Sequence, residues 1–204
     1  MKKEKILYNV YAEMTPNPDA IKFVSDQIIC DTYAEFTDKE HAQGHLLPSK
    51  LFAFPFVKSV LIAPQYISVI KIPDISWDDI VLEMREFISE HLNSGEPVLD
   101  ERLLVIQANN GNNEHSNQIT IQSKTPENET EQKIVDVLNE YIRPAVESDG
   151  GAVEFLGFDN GKVLIALKGS CSGCPSSTIT LKNGIEQLLR NMVPGVEEVI
   201  AESY

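Results

Sequence analysis

Cysteine is scarce in this chain: Cys30, Cys171 and Cys174 are the only three in 204 residues. Three thiols do not make a disulfide framework, so a reducing compartment, the cytoplasm, is expected. Long apolar runs are missing too; none approaches the roughly 20 residues needed to span a bilayer. The start, Met1 to Tyr8, is basic but has neither an apolar stretch nor a small-residue cleavage site, and no secretory signal is expected. Positive charge is in short supply, with 17 Lys and Arg against 31 Asp and Glu for a net charge of −14. The deficit is shared: residues 1–123 carry 10 basic and 18 acidic groups (−8), and 124–204 carry 7 and 13 (−6). Neither part has the basic stripe that a phosphate backbone requires, which excludes nucleic acid and an anionic membrane as partners. No phosphate loop, nucleophile–base pair or acid–base carboxylate pair stands out, so the chain does not read as an enzyme.

What is present divides in two. Between about Gln107 and Asn128 the composition turns to Asn, Gly, Ser and Pro, which favour turns and solvated backbone. A linker over 107–127 therefore separates a first domain, 1–106, from a second, 128–204; Gln118–Gln122 alternates weakly enough to add at most an edge strand. In the first, strands are expected at Ile6–Glu13, Ile21–Val24 and Gln27–Glu35, a short helix at Pro48–Ala53, and a hairpin from Val57–Ile62 to Tyr66–Ile72. Ser76 is placed to cap a helix running to about Leu92, with Asp78 and Asp79 in its first turn and Ile80, Met84, Phe87 and Ile88 as its buried stripe. Trp77 reads as a packing anchor.

The second domain opens with a helix over Glu129–Ser148, capped by Thr125 or Thr130, interrupted by Pro144 and ended by Asp149-Gly-Gly151. Its apolar stripe is Ile134, Val137, Leu138, Tyr141, Ile142, Ala145 and Val146. Strands Ala152–Phe158 and Lys162–Lys168 flank Asp159-Asn-Gly161, a hairpin signal. A second helix opening at Pro175, with Leu181, Ile185, Leu188, Leu189 and Met192 on one face, precedes a last strand near Val196–Ile200. The fold class is α+β: two small domains, the second ordered α-β-β-α-β.

Between strand and helix lies Gly169-Ser-Cys-Ser-Gly-Cys-Pro-Ser-Ser177. Two thiols at a helix N-terminus, where free amides and the dipole favour negative charge, form an exposed pair suited to a soft metal. The pair is incomplete, because a tetrahedral zinc or an iron–sulfur cluster takes four such ligands. Cys30 follows Ile28-Ile29 in an expected strand and reads as a structural thiol. A symmetric dimer completes the set by bringing two loops to one axis. On the residues alone, a dithiol oxidoreductase and a zinc-bridged dimer remain alternatives. His41 and His45 share i, i+4 spacing but read as surface histidines, and Lys168 as a strand-end lysine with at most a role in offsetting charge.

Asp149-Gly-Gly151, Gly169–Ser177 and Tyr141-Ile-Arg-Pro144 together resemble the C-terminal domain of NifU, as found in Nfu-type iron–sulfur proteins, over about Glu129 to Ser203. Thr15-Pro-Asn-Pro-Asp19, Lys22-Phe23 and Val57–Lys71 resemble the N-terminal domain of the same proteins. The resemblance implies a scaffold or carrier that holds a [4Fe–4S] cluster between two subunits and passes it to apo-proteins, with Cys171 and Cys174 as the ligands. A [2Fe–2S] cluster suits the same four thiolates. It further implies a homodimer joined through the cluster, an upstream assembly scaffold as donor, and an N-terminal domain that assists recipient recognition.

Overall fold

The computed structural model describes residues 7–100, 124–171 and 175–203. The edge strand at Gln118–Gln122 and most of the expected linker lie outside them, as does Cys174.

The first part is a five-stranded antiparallel sheet in the order β1-β2-β5-β4-β3. Its strands are β1 (Val10–Met14), β2 (Ala20–Ser25), β3 (Ala34–Phe36), β4 (Val57–Ile62) and β5 (Tyr66–Lys71). Residues alternate between its faces. Phe23, Val60, Ile62, Ile67 and Val69 point one way, into a core closed by helix α1 (Leu46–Leu51) and helix α2 (Trp77–Ser94) through Leu47, Leu51, Met84, Ile88 and Leu92. The Ser76 cap is as expected, its side chain accepting the Asp78 N–H, and the Trp77 ring meets Phe23 edge-on at 6.3 Å. The strand expected over Gln27–Glu35 shrinks to β3. The preceding segment turns at Asp31-Thr32 and is held to the β4–β5 turn by Ile29 N–H donating to Pro64 O at 2.8 Å.

In the second part, β6 (Gly151–Asp159) and β7 (Lys162–Gly169) form the expected hairpin, turning through Asn160 and Gly161 with positive φ at both, as a two-residue turn demands. Strand β8 (Glu198–Ser203) joins β7 in parallel, which requires the crossover that helix α5 (Pro175–Met192) supplies. The first helical segment is not one regular helix. It runs as α3 (Glu129–Val137), a π-helical turn (Leu138–Ile142) and α4 (Arg143–Ser148), and its cap is Asn128, which accepts the Glu131 N–H. Pro144 has no N–H to give, and the wider turn ahead of it absorbs the missing bond. The extra residue in that turn also rotates the face downstream. Tyr141 and Ala145, expected in the apolar stripe, are therefore exposed, while Ile134, Val137, Leu138 and Val146 are buried. On α5 Met192 is exposed and Val193 takes the buried place beside Ile185 and Leu189.

The two sheets meet through the faces not used by these cores. Leu61, Ala63 and Tyr66 of the first pack on Ala152 of the second in a small apolar cluster. The layers run helices, sheet, sheet, helices, and the cysteine loop lies at the end of β7 where the sheets touch.

Candidate metal centre

Strand β7 ends at Gly169, whose φ of +65° turns the chain out of the sheet. Ser170 and Cys171 follow. Ser170 Oγ donates to Asp149 O, and Ser170 N–H reaches Gly150 O at 3.4 Å. From the far side, Thr178 Oγ1 in the first turns of α5 donates to Cys171 O at 2.8 Å. Ser170 is thus tied to the Asp149-Gly-Gly151 segment and Cys171 to α5.

Cys171 is not the exposed thiolate that its sequence setting suggests. It is 9% exposed and packs into the second core, its sulfur against Gly151, where a Cβ would lie 2.5 Å from Sγ. Burial pushes the thiol up to about 11, the nearby Asp149 charge adds to the rise, and the Ser170 hydroxyl opposes it. The dipole argument applies to the residue adjoining Pro175, and at Cys171 burial outweighs it. In this arrangement Cys171 is a protected thiol and a poor attacking nucleophile. Cys30 belongs to the other core, half-buried, with Sγ donating to Thr32 O at 3.1 Å, so the structure does not bring it to Cys171.

The base of the loop is gripped from the first sheet. Tyr66 Oη donates to Gly151 O and Ser68 Oγ to Gly150 O, each at 2.6 Å and buried. Glu35 accepts the Gly169 N–H at 2.8 Å, and Asn17 Nδ2 donates to Ser170 O at 3.3 Å. Lys22 Nζ reaches Glu147 O and Ser148 O at 3.3 and 3.2 Å, a cation on the last carbonyls of α4 where the helix dipole welcomes it. Tyr33 donates to Glu147 as well. Sequence reasoning missed all of these. Their signal was polar residues alternating with apolar ones, which is also how a solvent-facing sheet reads.

Lys168, expected as an ordinary strand-end residue, is 1% exposed and lies 3.1 Å from Glu154 as a buried ion pair without good hydrogen-bond alignment. Burial pushes Glu154 upward, and takes Glu35 up to about 7 against the Gly169 N–H and Lys168, which favour its charge. His45, expected at the surface, is fully buried beside the Phe36 ring at 5.1 Å and accepts the Asp100 N–H at 3.2 Å. His41 pairs with Asp38 at 2.6 Å. The i, i+4 spacing counted as one helical face is broken because Gly44, at φ +91°, ends the turn and redirects the chain before α1.

Comparison with known proteins supports the sequence resemblance in both parts. Residues 10–95 match the family described as scaffold protein Nfu/NifU N terminal, and residues 134–200 match the NifU-like domain. A NifU-like protein of Schizosaccharomyces pombe is 34% identical, with 94% of this chain and 71% of that protein covered. NifU-like protein 4, mitochondrial, of Arabidopsis thaliana is 31% identical over 95% of this chain and 65% of its own length. The human NFU1 iron-sulfur cluster scaffold homolog, mitochondrial, is 33% identical over 93% and 70%. The chain thus spans roughly two thirds of these relatives' lengths. The solution structure of a NifU-like protein from Saccharomyces cerevisiae aligns with 50% of this chain and 92% of that one, at 23% identity and a TM-score of 0.41. The cytoplasmic expectation does not stand, since the plant and human relatives are both named mitochondrial. Cysteine scarcity separates oxidising from reducing surroundings and resolves nothing finer. With both regions matched in order along one chain, this protein belongs to the NifU-like family in its Nfu form.

Proposed function

We propose that this protein carries an iron–sulfur cluster as cargo, held between two copies of the chain and delivered to apo-proteins. In this reading residues 128–204 hold the cargo, residues 1–106 receive or orient partners, and 107–127 joins them. Cys171 and Cys174 of each copy are the ligands, four thiolates in all, which suits a [4Fe–4S] cluster. The observation that carries the reading is the placing of Cys-x-x-Cys between β7 and α5 in a chain whose human relative is named an iron-sulfur cluster scaffold homolog.

Ligand counting supports the shared site. Cys30 lies in the other core, and each chain therefore offers half a coordination sphere. An isologous dimer doubles it at one patch, and separating the copies frees two ligand positions per chain for exchange with a recipient. The raised Cys171 thiol gives no support to a dithiol oxidoreductase.

Anaerobic reconstitution with iron and sulfide, followed by metal and sulfide analysis beside the mass from size-exclusion light scattering, tests this. The expected product is a brown dimer whose iron content per pair of chains distinguishes [4Fe–4S] from [2Fe–2S]. A monomer with a full cluster, or a colourless protein that binds zinc alone, overturns it.

A further inference from the structure

We propose that the face of the first sheet carrying Lys22, Glu35 and Ser68 is a docking surface for the root of the chain's own cysteine loop, and that it must lift away before Cys171 can be reached. The proposal deepens the carrier reading and rests on it only for the purpose of the opening.

Four observations converge. Tyr66 and Ser68 on β5 donate to the carbonyls of Gly151 and Gly150, and Glu35 on β3 accepts from Gly169, so both strands leading to the loop are held from outside their own sheet. The fit is close: a Cβ on Gly150 would lie 2.6 Å from Ser68 Oγ, and one on Gly169 2.6 Å from Leu61 Cδ2. Cys171 is buried directly after Ser170, whose carbonyl Asn17 of the first part holds at 3.3 Å. Finally, the docking face sets Lys22, Glu35 and Ser68 beside the small apolar cluster of Leu61, Ala63 and Tyr66, whereas the centre of the opposite face is wholly apolar.

That last contrast gives the contact its character. A permanent interior joint is almost wholly apolar; one that mixes a small apolar cluster with polar contacts resembles a transient interface, and domains so joined move relative to each other. A ligand shared with a second chain needs its sulfur exposed, whereas Cys171 Sγ here faces Gly151, whose carbonyl Tyr66 of the first sheet holds. Docking and ligation are therefore alternatives for this thiol. The partner that fits this surface is specific in kind: a two-stranded, glycine-rich root whose carbonyls point outward and whose lack of Cβ atoms permits contact.

The test is the alkylation rate of Cys171 by iodoacetamide in the full chain carrying Cys174→Ser, read by peptide mass spectrometry with Cys30 as internal reference. Ser68→Gln adds bulk where Gly150 leaves none and is harmless on a parted, solvated face. It is expected to raise the Cys171:Cys30 rate ratio at least about tenfold, the gain of a local opening no longer resisted. Tyr66→Phe, which removes one bond and no volume, is expected to move the ratio the same way by less. A ratio unchanged in both variants overturns the proposal. With Cys174 restored, Ser68→Gln is expected to take up iron and sulfide faster than the parent chain and to the same final content. If neither chain takes up iron while the alkylation ratio still rises, the carrier reading falls and the docking surface stands.

Discussion

Glu35 of the first sheet accepts the backbone N–H of Gly169 at 2.8 Å, two residues before Cys171 and across the joint between the sheets. Its surroundings are contradictory. Burial raises its carboxyl to about 7, and Glu154 adds repulsion, while the Gly169 N–H and Lys168 favour the charged form. An exposed glutamate releases its proton near 4.5, the buried one near 7, so between those values the docked or folded state holds a proton that the open state has lost. Stability is therefore fully present at the acid end of that window and declines as pH rises through it.

Glu35→Gln keeps an acceptor for Gly169 and abolishes the titration. Between pH 5 and pH 8 the parent chain is expected to lose on the order of 2 to 3 kcal/mol more than the variant. That difference corresponds to about 5 °C or more in the thermal midpoint of a chain this size. Parallel melting curves at the two pH values check it; identical pH slopes in parent and variant would show that Glu35 is ionised throughout.

The cysteines separate by position. Cys171→Ala and Cys174→Ala are each expected to leave reconstituted protein essentially free of iron and sulfide, because two remaining thiolates per dimer cannot hold a cluster. Cys30→Ala is expected to load fully, since its thiol lies in the first core and bonds to Thr32 O. Iron analysis after desalting reads all three, and loss of iron in the Cys30 variant alone would show the ligand assignment to be wrong.

Much of the scaffold was legible because local chemistry dictated it. Ser76 followed by two aspartates starts α2, Asn160-Gly161 turns the β6–β7 hairpin, and Pro175 opens α5. The position of the cysteine motif between a strand and a helix was legible in the same way. What escaped were effects of non-local packing. Lys22, Glu35 and Ser68 alternate with apolar neighbours as residues facing water would, and only the arrival of β6 and β7 makes them interior. Cys171 was judged by the helix that follows it, whereas burial in the second core and the neighbouring Asp149 charge raise its thiol. Lys168 and His45 were misread for one reason: a single polar residue beside a turn carries no mark of what will later fold over it.

Gly151 tests the closeness of the loop to its base. Its backbone is ordinary, so any cost of adding a methyl is spatial. The new Cβ would stand 2.5 Å from Cys171 Sγ and 2.8 Å from Lys168 O, and the second neighbour is backbone that cannot swing aside. Gly151→Ala is expected to cost about 1 to 3 kcal/mol, as overpacking typically does. Gly157→Ala, on the same strand with nothing within 4 Å of its Cβ, is the control and should lie within about 0.5 kcal/mol of the parent. Denaturant titration measures both. Equal midpoints for the two variants would mean that the loop has room the contacts do not suggest.

The Lys168–Glu154 pair, 3.1 Å apart and almost wholly buried, allows a sharper experiment because removing one partner should cost far more than removing both. Lys168→Met leaves Glu154 and Glu35 without the cation they share, Arg143 favouring the charge of Glu154 alone. Each is already pushed upward by burial, and the loss of Lys168 takes away a favourable charge from both. The single variant is expected to lose about 3 to 5 kcal/mol, as for an orphaned buried charge. Glu154→Leu in addition removes the charge that the methionine abandoned, and the double variant should recover most of the loss, because desolvating an ion pair offsets much of its attraction. Glu35 then stands alone against the Gly169 N–H, and its titration, measured as above, should remain. A double variant no more stable than Lys168→Met would show that the lysine acts through Glu35 and the docked loop, with Glu154 a bystander.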